Sequence, residues 1–518
     1  MKSYLLAGCA AAALAFGAGA AGAQTATGPG PGKFQVTLGG DAYFDAGFVS
    51  QDRDANQING LRTVEFANRF RLVVTPKATA DNGISYGARL RLRASTLGAE
   101  QRAIDSDQAY IFVSGNFGEV RAGEVEGPSH AINAYVNRPI DWQLQAQHDR
   151  YRDFLPAQGF DGNGTAVTPV TAANYNPNSG RAFGSSLVGA AQTSPSSSIV
   201  AAAGMGGVSA TTPVVGAYTY GSGAQQFQTQ QSADPATKLV YITPRFSGFQ
   251  GAASYMPRTR DYNATATRTN RSAGMTGLTA AGAATLATGI TSLVANDFQD
   301  VYEITANYTG EFSGVMLKAM AGYQGGAATR DARFVGDAGI TNYNDLSSWQ
   351  VGAQAGYAGV VVGGGYINSG KSGYTTAPFL GTAGKANAQT IPGGASPYRT
   401  MLEDQWGWNA GIQYTTGPIV VGFGYTHSED AGNLIVPGAR KLNQYTLGGK
   451  YTVAPGFTMG LEYTYFSADD DRPNGAGSFT NGGNTYGISQ ATNALGNTVN
   501  TNYDDSGSVV LLRTGLAF

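Results

Sequence analysis

The chain has 518 residues, a formal net charge of -2 and only 13% charged side chains, alongside 74 Gly, 28 Tyr and 23 Phe. Soluble domains average about 25% charged residues, so this balance argues against a cytosolic enzyme, and no basic block is present that would seek nucleic acid. A mean hydropathy just below zero excludes a bundle of membrane helices, which would be strongly apolar.

Residues 1–23, MKSYLLAGCAAAALAFGAGAAGA, carry Lys2, an apolar run from Tyr4 and an Ala21-Gly22-Ala23 cleavage signature. That pattern is a secretory signal peptide. The GAGAAG inside it fits a dinucleotide-binding fingerprint in letters only, since no strand precedes it. Cys9, the single cysteine, lies in the same stretch, so the exported chain would hold its fold without a disulfide. Residues 24–32 (QTATGPGPG) read as a short tether, and 33–518 as one β domain.

From Lys33 the hydrophobic period becomes two. Phe34, Val36, Leu38, Ala42, Phe44, Ala46 and Phe48 share one face of a strand, and Gln35, Thr37, Asp41, Tyr43 and Asp45 share the other. Further on, ANRFRLVV (67–74) and ARLRLRAS (88–95) set Arg69, Arg71, Arg89, Arg91 and Arg93 against Phe70, Leu72, Leu90 and Leu92. VYEITANY, PIVVGFGYT and FTMGLEYTY repeat the alternation. Sixteen strands are predicted, beginning near residues 33, 62, 83, 106, 118, 237, 248, 298, 314, 347, 359, 405, 418, 440, 456 and 506.

The connections alternate in length. Short ones (TPKATADNG, SGNFG, PRFSG, TGEFSG, AGV, TTGP, APG) are built from turn residues. Long polar ones lie near 50–61, 96–105, 126–236, 259–297, 326–346, 369–404, 428–439 and 468–505. An even number of ~10-residue alternating strands with short turns on one side and long loops on the other is the pattern of an outer-membrane barrel. Soluble sandwich strands are usually shorter, ~5–6 residues. The predicted fold is therefore all-β: a transmembrane antiparallel β-barrel of 16 strands, with 18 the alternative count. The C-terminal SVVLLRTGLAF puts Val510, Leu512, Thr514, Leu516 and Phe518 on one face, and its ending, Gly515-Leu516-Ala517-Phe518, resembles the assembly signal of such barrels.

NFGEVRAGEVEG (116–127) and YITPRFSGFQGAASY (241–255), with the C-terminal segment, resemble Gram-negative general porins, most nearly the alphaproteobacterial type. The resemblance implies a homotrimer of sixteen-stranded barrels in the outer membrane, each with its third loop folded into a water-filled pore. It also implies contact with outer-membrane lipid and lipopolysaccharide, insertion by the barrel assembly machinery, and passage of small hydrophilic solutes and ions. The 126–236 segment is longer than the third loop usually is in this family, and an extra hairpin or subdomain is expected within it.

In such a barrel the arginines face the lumen, because Arg on the lipid face costs ~2–4 kcal/mol at the midplane. Arg69, Arg71, Arg89, Arg91 and Arg93, with Arg121, would form a basic wall opposed by third-loop acids, for which Asp141, Asp149 and Asp153 are the candidates. Opposed charges across a narrow pore create a transverse field. No catalytic set is evident: His130, His148 and His427 lack metal or triad spacing, and no cofactor is expected. Asp469, Asp470 and Asp471 could hold a surface Ca²⁺ through oxygen ligands, with solvated loop charge the simpler reading. Two other functions stay open: a substrate-specific channel, for sugars for example, and a structural or adhesive barrel plugged by its long loop.

Overall fold

The computed structural model describes residues 33–53, 63–94, 104–133, 236–258, 298–328, 344–372, 404–430, 440–470, 477–481, 484–488 and 505–518. The strands are β1 (Gln35–Arg53), β2 (Val64–Thr79), β3 (Ser85–Ala94), β4 (Ile104–Gly115), β5 (Gly118–Val125), β6 (Ala236–Ile242), β7 (Phe249–Arg258), β8 (Phe298–Phe312) and β9 (Val315–Ala328). They continue as β10 (Leu346–Tyr357), β11 (Val360–Gly370), β12 (Gln405–Thr416), β13 (Ile419–Asp430), β14 (Arg440–Ala454), β15 (Phe457–Asp470), β16 (Gly477–Asn481), β17 (Asn484–Ile488) and β18 (Asp505–Ala517). One short helix, α1 (Pro128–Asn133), follows β5.

β1 to β15 and β18 close a sixteen-stranded barrel in which each strand pairs antiparallel with its sequence neighbours and β1 pairs with both β2 and β18. Closure leaves no edge, so every ladder group inside hydrocarbon finds a partner. No described helix is long and apolar enough to cross a membrane; the strands do the crossing. Every predicted strand start lies within two residues of an observed one. β16 and β17 form a separate hairpin inside the last long connection, where the residue pattern predicts only loop.

The short turns carry the strand twist. Ser313-Gly314 (φ 50 and 81) and Ala358-Gly359 (φ 49 and 84) are two-residue hairpin loops with both residues at positive φ. That is the type I′ geometry whose twist matches the flanking strands. Gly40 serves a different need. Phe518 and Gly40 exchange both backbone hydrogen bonds, at 2.8 and 3.1 Å. A Cβ on Gly40 would strike the Arg71 carbonyl and lie 2.8 Å from the Phe518 ring.

The two faces separate as the alternation dictates. Phe66 is 64% and Ile304 60% exposed on the outside, whereas inward-pointing Asp45 and Glu303 are 0% exposed. Polar burial of that kind occurs where side chains line a shared interior. The outer face is itself uneven. Among the described residues, every exposed Tyr and Trp lies on β6–β15: Tyr241, Tyr255, Tyr302, Tyr323, Trp349, Tyr357, Trp408, Tyr414, Tyr445, Tyr451, Tyr463 and Tyr465. β18 and β1–β5 expose only Phe, Leu, Ile and Val of comparable size, such as Phe44, Phe66, Phe70, Ile111 and Leu512.

Candidate pore wall

The inner face of β18, β1, β2 and β3 holds a connected set of charges. Asp41 on β1 receives Arg69 Nε (3.2 Å) and a terminal nitrogen (2.7 Å), and also Arg71 Nε (2.6 Å). Four residues along β1, Asp45 accepts Nε of Arg513 at 2.6 Å and a terminal nitrogen of the same guanidinium. This pair is sealed, with side-chain exposures of 2% for Arg513 and 0% for Asp45. Tyr43 sits between the two groups, its ring 4.0 Å from the Arg513 guanidinium carbon and 4.6 Å from that of Arg69. The β1–β18 register sets Asp45 opposite Arg513, and the β1–β2 register sets Asp41 opposite Arg71.

β3 continues the wall. Arg93 lies directly across from Arg71. Arg91 donates to Glu126 at 3.1 Å, and Arg89 donates through Nε to the amide oxygen of Gln108 at 3.3 Å. Arg121 on β5 pairs with Glu119 two residues away and lies over the Tyr110 ring at 5.7 Å. All six predicted arginines thus occupy strands of one side of the barrel, but the acids that meet them were not foreseen. They are Asp41 on β1, Glu119 on β5 and Glu126 just past it, while Asp45 on β1 meets Arg513. Arg513 was missed as a member of the set. Asp141, Asp149 and Asp153 lie outside the described residues.

Glu126 ties this wall to α1. Its carboxylate also meets His130 Nδ1 on the helix. Burial alone would raise the Glu126 carboxyl, but the charges and hydrogen bonds of His130 and Arg91 outweigh it and hold it well below the ordinary carboxylate range. Pro128 opens α1 at a position where a missing N–H costs nothing. The helix leans against β6–β8: Ser129 N–H donates to Glu303 at 2.6 Å, and Asn307 donates to the Ile132 carbonyl at 2.7 Å. Ala131 and Ile132 pack on a small apolar cluster of Val125, Val240, Ile242 and Ala252. Since Glu303 and Asn307 belong to the face opposite exposed Tyr302 and Ile304, α1 lies inside the barrel.

The facing wall, β8–β15, is lined mainly by uncharged polar groups. Thr305, Asn307, Gln324, Ser348, Gln350, Gln354, Asn409, Thr426, Gln444 and Thr464 are buried there, with Glu303 and Glu462 as the acids. Two aromatics point inward, Phe466 on this wall and Tyr43 on β1, 0% and 5% exposed.

The remaining predicted sites lie at the two ends of the strands. Gly515 and Leu516 pair with Tyr43 and Ala42 on β1 and with Thr458 and Phe457 on β15. Leu516 is 50% and Phe518 40% exposed on the outer face. Asp471 lies outside the described residues. Asp469 and Asp470 end β15 at ladder positions directly across from Lys441 and Arg440. No cluster of three metal-ligating side chains occurs among the described residues.

Comparison with known proteins gives a family. The family model described as Gram-negative porin matches residues 10–177 and 143–471. No curated protein matches the chain by sequence. Among solved structures, the chain is similar to outer-membrane expressed OmpT of Vibrio cholerae (11% identity, TM-score 0.45, 96% of this chain and 100% of that one). It is also similar to an anion-selective porin from Comamonas acidovorans (13% identity, TM-score 0.45, 94% and 100%) and to a variant of an Rh. blastica porin (13% identity, TM-score 0.42, 93% and 100%).

Proposed function

The chain belongs to the Gram-negative porin family and forms an outer-membrane channel barrel, and we propose that small hydrophilic solutes and ions cross it by passive diffusion. The observation that carries this reading is the division of the lumen: arginines with their carboxylates line β18 and β1–β5, and amides and hydroxyls line β8–β15. Such a lining keeps water and polar solutes hydrated along the wall while the transverse field aligns dipoles. It offers many weak partners along its length.

The working unit is a homotrimer, and the uneven outer face supports it. Tyr and Trp anchor a lipid-facing strand by keeping an apolar ring in the acyl region and a polar tip at the headgroups. β6–β15 carry these residues and suit a lipid and lipopolysaccharide boundary. β18 and β1–β5 carry smooth apolar groups instead, which suit contact with another copy. Insertion by the barrel assembly machinery would use Gly515, Leu516 and Phe518.

Planar-bilayer recording tests the reading. Purified protein should give stepwise, ohmic conductance that rises in proportion to KCl concentration and comes in triplets. A barrel that inserts but barely conducts would overturn it in favour of a plugged surface protein.

A further inference from the structure

Arginine presents five N–H donors and no acceptor. Arg69 and Arg71 both spend donors on a single carboxylate, Asp41, and Arg71 uses only its Nε there. Arg89 has one acceptor, the neutral Gln108 amide, again at Nε. Among the described residues the terminal nitrogens of Arg71 and Arg89 have no acceptor, and two guanidinium charges share the one Asp41 carboxylate. These two side chains flank Arg91 on the same inner face, because Arg71 is the ladder partner of Arg93 and successive inward residues on β3 are ~7 Å apart. Arg71 is 19% exposed: partly dehydrated, which strengthens its hold on an anion, yet open to the lumen.

We propose that Arg71 and Arg89, with Arg91 between them, form a saturable station for small oxyanions, phosphate or a short dicarboxylate, on the pore wall. The planar fork of each guanidinium matches two oxygens of a carboxylate or phosphate. Asp41 holds Arg71, Gln108 holds Arg89 and Glu126 holds Arg91 between them, so the outward forks need little ordering. A halide lacks the paired oxygens and slides past. The inference rests on the diffusion reading above and adds that passage of oxyanions saturates where that of chloride does not.

The test is chloride current through wild-type protein in planar bilayers at 0.1 M KCl, titrated with inorganic phosphate or with succinate. Saturable inhibition by either ion, with a half-effect in the millimolar range, is expected. Arg89→Gln, which breaks only one neutral hydrogen bond, should raise the half-effect concentration several-fold. The R71Q/R89Q variant should raise it at least tenfold while KCl conductance persists. R71K/R89K keeps the charge and loses the forks, so it should fall between. Inhibition by phosphate alone or succinate alone names the oxyanion. Current that changes only as ionic strength dictates, or inhibition equal in wild type and R89Q, would overturn the station. A protein without KCl conductance would fail the diffusion reading first, and the station with it.

Discussion

Replacing Arg513 by Gln should destabilise the barrel more than any other single change to the basic wall. Arg513 lies on the last strand and Asp45 on the first, so their two hydrogen bonds cross the seam where the barrel closes. Both groups are essentially sealed from solvent. Removing one partner leaves the Asp45 carboxylate buried without its main counter-charge, a loss of ~3–5 kcal/mol, and the Tyr43 face 4.0 Å away loses a cation–π contact of ~1 kcal/mol. These overlap, so ~3–5 kcal/mol is the expected total. Arg89→Gln provides the control, because its one neutral hydrogen bond at 3.3 Å is worth ~1 kcal/mol or less. The D45N/R513Q double variant removes both charges and should recover part of the loss. Urea titration of folded protein in lipid vesicles, scored by the mobility of unheated samples on gels, measures all three. Equal stability of R513Q and R89Q would refute the argument, as would a double variant less stable than R513Q.

Gly40→Val should prevent normal closure, since its Cβ meets the Arg71 carbonyl and the Phe518 ring; heat-modifiable mobility should be lost in vivo. Deleting Phe518 should leave exported but poorly inserted protein, checked by membrane fractionation, and normal trimers from the truncated chain would count against the assembly role. Glu126 has a depressed carboxyl, so its contribution is fully present above the ordinary carboxylate pKa and is lost only as pH falls through the lower folded value. Its tie to Arg91 should therefore persist at pH 4, and amide hydrogen exchange across residues 126–133, corrected for the intrinsic pH dependence of exchange, should show the same protection at pH 4 as at pH 7.

Much of the fold was legible because a barrel strand repeats one signal, period two, for its whole length. Asp41, Tyr43 and Asp45 were already on the polar face of the first strand, and Arg513 is visible in SVVLLRTGLAF. What one sequence cannot supply is the register that brings Asp45 and Arg513 together, separated by 468 residues. Sequence spacing alone points to acids on the third loop, whereas the neighbouring strand holds Asp41. The division of the outer face between Tyr/Trp and Phe/Leu likewise needs the strand order before it becomes a pattern. The β16–β17 hairpin left a faint mark: GSFTN and NTYGI flank Gly482-Gly483, a two-residue hairpin signal, but each arm is only five residues and mostly polar.

The central claim, that the arginine wall of an open lumen sets its field, is tested most directly by reversal potentials in a KCl gradient for wild type and R89Q/R91Q/R93Q. Charges two residues apart on one strand lie ~7 Å apart, within the Debye length of ~10 Å at 0.1 M salt, so they should act as a group. The triple variant should lose anion permeability relative to cations at 0.1 M, and the difference should shrink at 1 M, where screening acts within ~3 Å. Identical reversal potentials at low salt would contradict the claim.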